Sequence, residues 1–158
     1  ILISRQKLND TSHILKINNE DIESVKLVKL LGIYIDDKLN FDYYITKVCK
    51  HASNQLNALI RLNRFLGFEE KKALVESFIL SNFEYCPLVW IFSSAKSLTK
   101  IENIQKRALR FLLNDYESTY DELLLRCNKT NMNIRRQRKL CIETFKTLHN
   151  LNPPFFKD

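Results

Sequence analysis

The chain has 158 residues, a formal net charge of +7 and a hydrophobic fraction of 45%. This composition excludes a disordered chain, and the length fits one domain with a sizeable core. With only two glycines and three prolines, the sequence favours long helices over a turn-rich β-sandwich. It contains no apolar run long enough to span a bilayer and no signal peptide, so we expect an intracellular protein without a membrane partner.

The positive charge is unevenly distributed. Residues 1–40 hold six basic and six acidic residues, whereas residues 41–158 hold 19 basic and 12 acidic residues. The whole excess therefore lies in the second part of the chain. Such an asymmetry points to a polyanionic partner, although basic surfaces also occur for solubility alone.

The first 40 residues predict β structure. Residues 1–3 are a short β-prone run, residues 14–19 alternate before a turn-like segment, and residues 30–35 are rich in β-branched and aromatic side chains. Gly32 lies inside this last run, which suggests a bulge or a close backbone approach. We expect a small sheet over residues 1–40.

From Phe41 the hydrophobic period becomes helical. The first helix ends near Gly67, and its predicted apolar stripe is Ile45, Val48, Cys49, Ala52, Leu56, Leu59 and Ile60. A second helix begins near Glu69, and its predicted apolar face is Leu74, Val75, Phe78 and Ile79. Pro87 ends or kinks it, and residues 88–92 are apolar enough to predict burial.

Three more helices are predicted after residue 92. One runs over about 98–113, with Ile101, Ile104, Ala108, Phe111 and Leu112 facing inward. A capping-box pattern from Thr119 to Glu122 opens a short helix. The last helix runs over about 134–150, and its predicted core face is Ile134, Cys141, Ile142, Phe145 and Leu148. The expected fold class is α+β, mainly α, with a β-rich region over 1–40 followed by a helical bundle over 41–158.

No metal site or nucleophilic centre is predicted. The four cysteines and three histidines lack the short spacings of zinc ligands, and Cys49 and Cys141 fall on apolar helix faces as ordinary core thiols. The serines lie in no hydrolase motif, and two glycines cannot supply a phosphate-binding P-loop. We predict no catalytic residue in this chain.

Basic side chains lie opposite the apolar stripes of three predicted helices. They are candidates for phosphate contacts, and the alternative is an ordinary solvated face. They are Lys47, Lys50, Arg61 and Arg64 on the first helix, Lys106, Arg107 and Arg110 on the third, and Arg135, Arg136 and Lys139 on the last.

Several blocks occur in a characteristic order: LGIYIDDKLNF at 31–41, VCKHAS…LNAL at 48–59, SFILSNFEYCPLVW at 77–90, IENIQKRALR at 101–110, YDELL at 120–124 and RQRKL…ETFK at 136–146. Together they resemble the region after the catalytic palm in reverse transcriptases of non-LTR (LINE-type, jockey-like) retrotransposons. Residues 1–5 resemble the strand that follows the catalytic hairpin. The resemblance implies a palm edge over 1–40 and a helical thumb or connection-like region over 41–158. It also identifies the chain as a fragment that lacks the N-terminal palm and fingers.

The resemblance implies a role in gripping an RNA or DNA template–primer rather than in catalysis. Leu31, Gly32, Ile33 and Asp36 would form a primer-grip-like element, and the basic helix faces would hold the duplex. RNA-directed DNA polymerases use Mg²⁺, but this fragment needs no cofactor of its own and takes no small-molecule substrate. The full-length family would place it in the nucleus or in a cytoplasmic ribonucleoprotein.

The sequence Tyr34-Ile35-Asp36-Asp37 imitates the Y-x-D-D sequence that holds catalytic metal ions in reverse transcriptases. Two-metal chemistry also needs a carboxylate from an earlier strand, and no convincing partner precedes it here. We therefore predict that Asp36 and Asp37 end the strand and that polymerase activity is not carried over. The alternative function is a decayed or domesticated element that acts as a helical protein–protein interaction module.

Overall fold

The computed structural model describes residues 15–89, 91 and 93–153. Four short strands precede five α-helices, which confirms the predicted α+β, mainly α, fold class within the described residues. The strands are β1 (Leu15–Ile17), β2 (Glu20–Ile22), β3 (Leu27–Leu30) and β4 (Ile33–Asp36). The helices are α1 (Asp42–Arg61), α2 (Phe68–Leu74), α3 (Ala95–Leu113), α4 (Tyr120–Arg126) and α5 (Met132–Leu148). None of the helices in these ranges combines the length and apolar character that crossing a bilayer would require.

The strands form two separate antiparallel hairpins, β1–β2 and β3–β4. Each is closed by two residues with positive φ, namely Asn18 and Asn19 in the first hairpin and Leu31 and Gly32 in the second. Two such residues match the twist of paired strands in a tight hairpin. The segment 30–35, predicted as one strand, is therefore two strands with Gly32 in the turn rather than at a bulge. The predicted strand at residues 1–3 lies outside the described residues.

The main core lies between α1, α3 and the segment that follows α2. Its fully buried side chains include Ala52, Leu56, Ile79 and Ala108, and Ile33 of β4 attaches the second hairpin to it. Asp42 joins the starts of the two long helices, because its carboxylate accepts hydrogen bonds from the hydroxyls of Ser94 (2.9 Å) and Ser97. Ser94 also caps α3 by accepting a hydrogen bond from the Ser97 backbone N–H.

A smaller core joins the end of α3 to α4. Leu109, Leu123 and Leu124 are buried there, and the predicted capping box is confirmed, with Thr119 and Glu122 satisfying each other's backbone N–H groups. The α5 helix begins at the cap residue Asn131 and is held at its first turn by α3.

The second predicted helix is interrupted. After α2 the chain forms a π-helical turn over Val75–Ile79 and a 3₁₀ turn over Leu80–Phe83. The wider turn rotates the apolar stripe, so Val75 and Ile79 are buried while Phe78 is 51% exposed, contrary to the prediction. Leu74 is half-buried. Ile60, predicted on the α1 stripe, is also exposed.

The segment 88–92 is less buried than its composition predicted. Leu88 and Ile91 are half-buried and Val89 is exposed, while Trp90 and Phe92 lie outside the described residues. The prediction of complete burial is wrong at Val89. The backbone turns here, because the N–H of Val89 donates to the Cys86 carbonyl oxygen at 3.1 Å and that of Ile91 to the Leu88 carbonyl oxygen at 3.3 Å.

The predicted core face of α5 points away from the core. Ile134, Cys141, Ile142, Phe145 and Leu148 are all exposed, Phe145 by 56% and Leu148 by 75%. The helix contacts the bundle through the opposite side, where Met132 and Arg136 are buried. The prediction failed because periodicity identifies an apolar face but not the element that covers it. Cys49, in contrast, is the buried core thiol that was predicted.

Candidate nucleic-acid interface

The helices α1 and α3 lie side by side, and polar bridges join their solvent-facing edges. The Nζ of Lys100 donates to the hydroxyl of Thr46 at 2.9 Å. The guanidinium of Arg107 donates to Ser53 Oγ and to Asn57 Oδ1, each at 2.9 Å. These contacts advance in the same direction along both helices, so α1 and α3 run parallel.

Two rows of cations line this pair of helices. On α1, Lys50 falls between Thr46 and Ser53 at helical spacing, and Arg61 follows Asn57 by four residues. On α3, Lys96 precedes Lys100 by one turn and Arg107 continues the row. We refer to Lys50, Arg61, Lys96, Lys100 and Arg107 as the α1–α3 face. The row from Lys96 to Arg107 is about 16 Å long at 1.5 Å per residue.

Sequence reasoning found three members of this face and missed Lys96 and Lys100. The missed signal is the spacing 96, 100, 107, which places all three side chains on one side of a helix. Lys100 is half-buried against α1, and Lys96 is exposed. An expected helix start at about residue 98, instead of Ala95, left Lys96 outside the helix.

The remaining predicted cations of these helices lie beside the face rather than in it. Lys106 and Arg110 are half-buried on a neighbouring side of α3, and the Nε of Arg110 is buried without a hydrogen-bond partner among the described residues. Arg64 follows α1 in a 3₁₀ turn, and its guanidinium carbon lies 4.5 Å from the centroid of the Phe65 ring. Lys47 is turned toward the second hairpin, where its Nζ donates to the hydroxyl of Tyr34 at 3.2 Å.

The carboxylates of α1 and α3 are held by hydrogen bonds, and that of Asp42 borders the α1–α3 face, close enough to Lys100 and Lys96 for their charges to act on it. The only acidic residue of α1 is Asp42, which is held by two serines and whose pKa is lowered, first by the hydrogen bond from Ser97. The only acidic residue of α3 is Glu102, which accepts hydrogen bonds from the backbone N–H groups of Met132 (3.2 Å) and Asn133 (2.9 Å) at the start of α5. Within the described residues, no ion pair involves a cation of this face.

The predicted cations of α5 belong to a different environment. Arg135 forms an ion pair with Glu84. Arg136 is buried, its Nη2 donates to Asn133 Oδ1 at 3.0 Å, and burial lowers the pKa of its guanidinium. Lys139 is exposed, as is Arg138. Of the predicted cations, the structure therefore brings Lys50, Arg61 and Arg107 to one face and leaves those of α5 separate.

The primer-grip-like residues lie on the β3–β4 hairpin. Leu31 is at its tip and 83% exposed, and the hydroxyl of Tyr85 donates to the Leu31 carbonyl oxygen at 2.6 Å. Ile33 points into the core. The carboxylate of Asp36 accepts from the backbone N–H groups of Lys38 (3.1 Å), Asn40 (3.2 Å) and Phe41 (2.8 Å), and so organises the turn that leads into α1. In the part of the chain that the structure describes, no three His, Cys, Asp or Glu side chains are grouped as metal ligands.

Comparisons with family models, with curated proteins and with solved structures give no match for this chain. Any functional assignment therefore depends on the geometry of its own residues and on the motif resemblance described above.

Proposed function

We propose that this chain binds duplex nucleic acid through the phosphate backbone, as the post-palm, template–primer-gripping part of a reverse transcriptase of the non-LTR retrotransposon type. The observation that carries the proposal is the α1–α3 face, where cations from two parallel helices form adjoining rows and both carboxylates of these helices accept hydrogen bonds from other groups. The motif order supports the same assignment. In this role the chain would grip nucleic acid without contributing catalytic groups.

The composition of the face favours backbone contact over base readout. Its three lysines are point charges without a bidentate fork, and the fork of Arg107 is already committed to two acceptors on α1, which leaves Arg61 as the one member of the face with a guanidinium to offer. Phosphates follow one another about every 3.4 Å along each strand of a duplex, so a row about 16 Å long passes several of them. Contacts of this kind set affinity and salt dependence but carry no direct sequence information.

The proposal is tested by titrating an RNA–DNA duplex at several salt concentrations. We compare the wild type with the triple reversal Lys50→Glu, Arg61→Glu and Lys96→Glu, because these three side chains are exposed and their replacement spares the bridges of Lys100 and Arg107. Binding should weaken for every duplex sequence alike, and the slope of log affinity against log salt should flatten by roughly two to three.

The matched control has the same change of charge at exposed lysines outside the face. It is the triple variant with Lys26, Lys38 and Lys72 each replaced by Glu. A general effect of net charge would weaken both triple variants equally, and that result would reject the α1–α3 face as the binding surface. Unchanged unfolding temperatures in both variants would show that the fold is retained.

A second candidate function, a helical protein–protein interaction module, is favoured by one observation on α5. Ile134, Arg138, Cys141, Phe145 and Leu148 follow the alternating four- and three-residue spacing of a coiled-coil seam, and all are exposed. A second copy of the chain would place its own Arg138 in the same seam, so that two positive charges would be buried together. The partner that fits this seam better is an amphipathic helix with a carboxylate opposite Arg138.

This candidate predicts selective binding of a synthetic heptad peptide. A peptide with Glu facing Arg138 should bind more tightly than its Lys counterpart, and Phe145→Ser with Leu148→Ser should abolish binding. Equal binding of both peptides, or of neither, would eliminate this occupant. Concentration-dependent dimerisation of the chain in sedimentation would instead identify a second copy as the occupant.

A further inference from the structure

An open cleft of about 520 Å³ lies between the β3–β4 hairpin, α1 and the 3₁₀ turn Leu80–Phe83. Among the described residues its lining includes basic and aromatic side chains and no carboxylate. Lys29, Tyr34, Lys47 and His51 lie at its wall. The cleft is separate from the α1–α3 face, because Lys47 and His51 project from a different side of α1 than Lys50 does.

Two ammonium groups lie near the Tyr34 ring in this cleft. Lys29 and Tyr34 are cross-strand partners in the hairpin, and the Nζ of Lys29 lies 5.7 Å from the Tyr34 ring centroid. The Nζ of Lys47, arriving from α1, lies 4.5 Å from the same centroid and 5.3 Å from that of Tyr43. Both ammonium groups add positive potential at this ring, and neither forms an ion pair within the described residues, so an anion bound beside the ring would supply the counter-charge.

The hydrogen-bonding capacity of Tyr34 fits the same ligand. Its hydroxyl oxygen accepts from the Lys47 ammonium, so its own proton remains available to donate. The same contact lowers the pKa of Tyr34 and raises that of Lys47. His51, one helical turn beyond Lys47, adds an imidazole N–H at the cleft wall. Four donors thus line this space, and no acidic side chain in the described part of the chain does.

We propose that this cleft binds a phosphate monoester, either the terminal phosphate of a nucleic acid strand or that of a free nucleotide. A monoester carries about −1.5 to −2 charges at neutral pH, which matches two ammonium groups, whereas an internal diester carries one. The cleft volume lies within the range of small-molecule sites, so a sugar and base have room beside the phosphate. This inference goes beyond the proposed function and does not depend on it.

The test follows the NMR signals of the backbone amides of residues 29, 34, 47 and 51 in the intact chain. The chain is titrated with inorganic phosphate, with AMP, and with a nucleic acid single strand that either carries or lacks a 5′-phosphate. AMP and the phosphorylated strand should shift these amides and saturate. A phosphorylated strand that binds more tightly than AMP identifies the strand end as the ligand. Equal or weaker binding by that strand identifies the free nucleotide.

Variants decide whether the named side chains hold the phosphate. The double variant Lys29→Ala, Lys47→Ala should raise the dissociation constant for AMP by about tenfold or more. Tyr34→Phe, which keeps the ring and removes the hydroxyl, should raise it by about two- to tenfold. Lys26→Ala, an exposed lysine just before β3, is the matched control and should change it by less than twofold.

The proposal is overturned by either of two results. One is the absence of shifts at the cleft amides with AMP and phosphate, and the other is equal AMP affinity in the double variant and the control. AMP binding is measured at the cleft and duplex binding at the α1–α3 face. A loss of one proposal therefore leaves the measurement that tests the other unaffected.

Discussion

Replacement of Asp36 should destabilise the fold, because its carboxylate organises the passage from β4 to α1. Of its three backbone donors, Lys38 and Asn40 are exposed and can be rehydrated, so their loss costs little. Phe41 is half-buried, lies at the start of α1 with φ of 57°, and donates at 2.8 Å. Loss of a cap-like acceptor of this kind costs about 1–2 kcal/mol.

The free energy of unfolding is measured by urea denaturation of Asp36→Ala, Asp36→Asn and Asp37→Ala. Asp36→Ala should lose about 1–2 kcal/mol, which corresponds to roughly 2–8 °C in unfolding temperature. Asp36→Asn keeps one oxygen acceptor and should lose less. Asp37 is the neighbouring control: its carboxylate takes no part in the side-chain hydrogen bonds of the described residues, so its replacement should stay within about 0.5 kcal/mol.

The same proteins test whether the Tyr34–Asp37 sequence is a metal site. With a structural role for Asp36, Mg²⁺ leaves all the unfolding curves unchanged. Stabilisation of the wild type by Mg²⁺ that disappears in Asp36→Asn would refute the structural role. Primer extension by this chain that depends on Asp36 would refute it as well. Equal losses from the Asp36 and Asp37 replacements would show that the three backbone contacts do not carry the effect.

Three further perturbations give defined outcomes. Burial raises the pKa of the Cys49 thiol from 9.0 to about 11, so the thiol loses its proton at lower pH in the unfolded chain than in the folded one. The free energy of unfolding should therefore fall as the pH rises from 9 towards 11. In denaturation experiments at a series of pH values, Cys49→Ala should remove this part of the pH dependence. Tyr120→Phe should lower the free energy of unfolding by about 1–3 kcal/mol, because the Tyr120 hydroxyl lies 2.5 Å from Glu102 Oε2 and 2.6 Å from the side-chain oxygen of the buried Gln105. A loss of less than about 0.5 kcal/mol would show that water replaces the hydroxyl as a hydrogen-bond partner. Gly32→Ala should lower the free energy of unfolding by about 1 kcal/mol, because Gly32 has a φ of +87°, which alanine adopts only with strain. A steric clash is not the cause, since an added Cβ would lie 3.9 Å from the Tyr85 ring. An unchanged midpoint of urea denaturation would contradict this prediction.

Local signals predicted the parts of the fold that neighbouring residues decide. The capping box from Thr119 to Glu122 and the change of period at Phe41 both correspond to helix starts within a residue or so. The hairpin turn at Leu31 was missed, because a leucine with positive φ carries no turn signal; the pairing of β3 with β4 and the hydrogen bond from the Tyr85 hydroxyl hold it there.

The orientation of each element toward its neighbours could not be predicted in the same way. The α5 stripe has the spacing of a core face, yet which side of α5 meets the bundle is decided by its first turn, where Glu102 accepts two backbone N–H groups. Arg136, predicted as a surface cation, is buried for the same reason. The α1–α3 face was predicted in part, because spacing identifies cations on one helix but not the parallel arrangement that joins two helices.

The bridges of Lys100 and Arg107 make the α1–α3 face a product of tertiary structure, since its two rows come from segments about fifty residues apart in the chain. An unfolded chain has the same charges but not their arrangement. A polyanion that binds the folded face preferentially must therefore stabilise the protein, by about 2.7 kcal/mol when its free concentration is 100 times its dissociation constant. With such a polyanion bound, the chain should resist heat and proteolysis better than the free chain does.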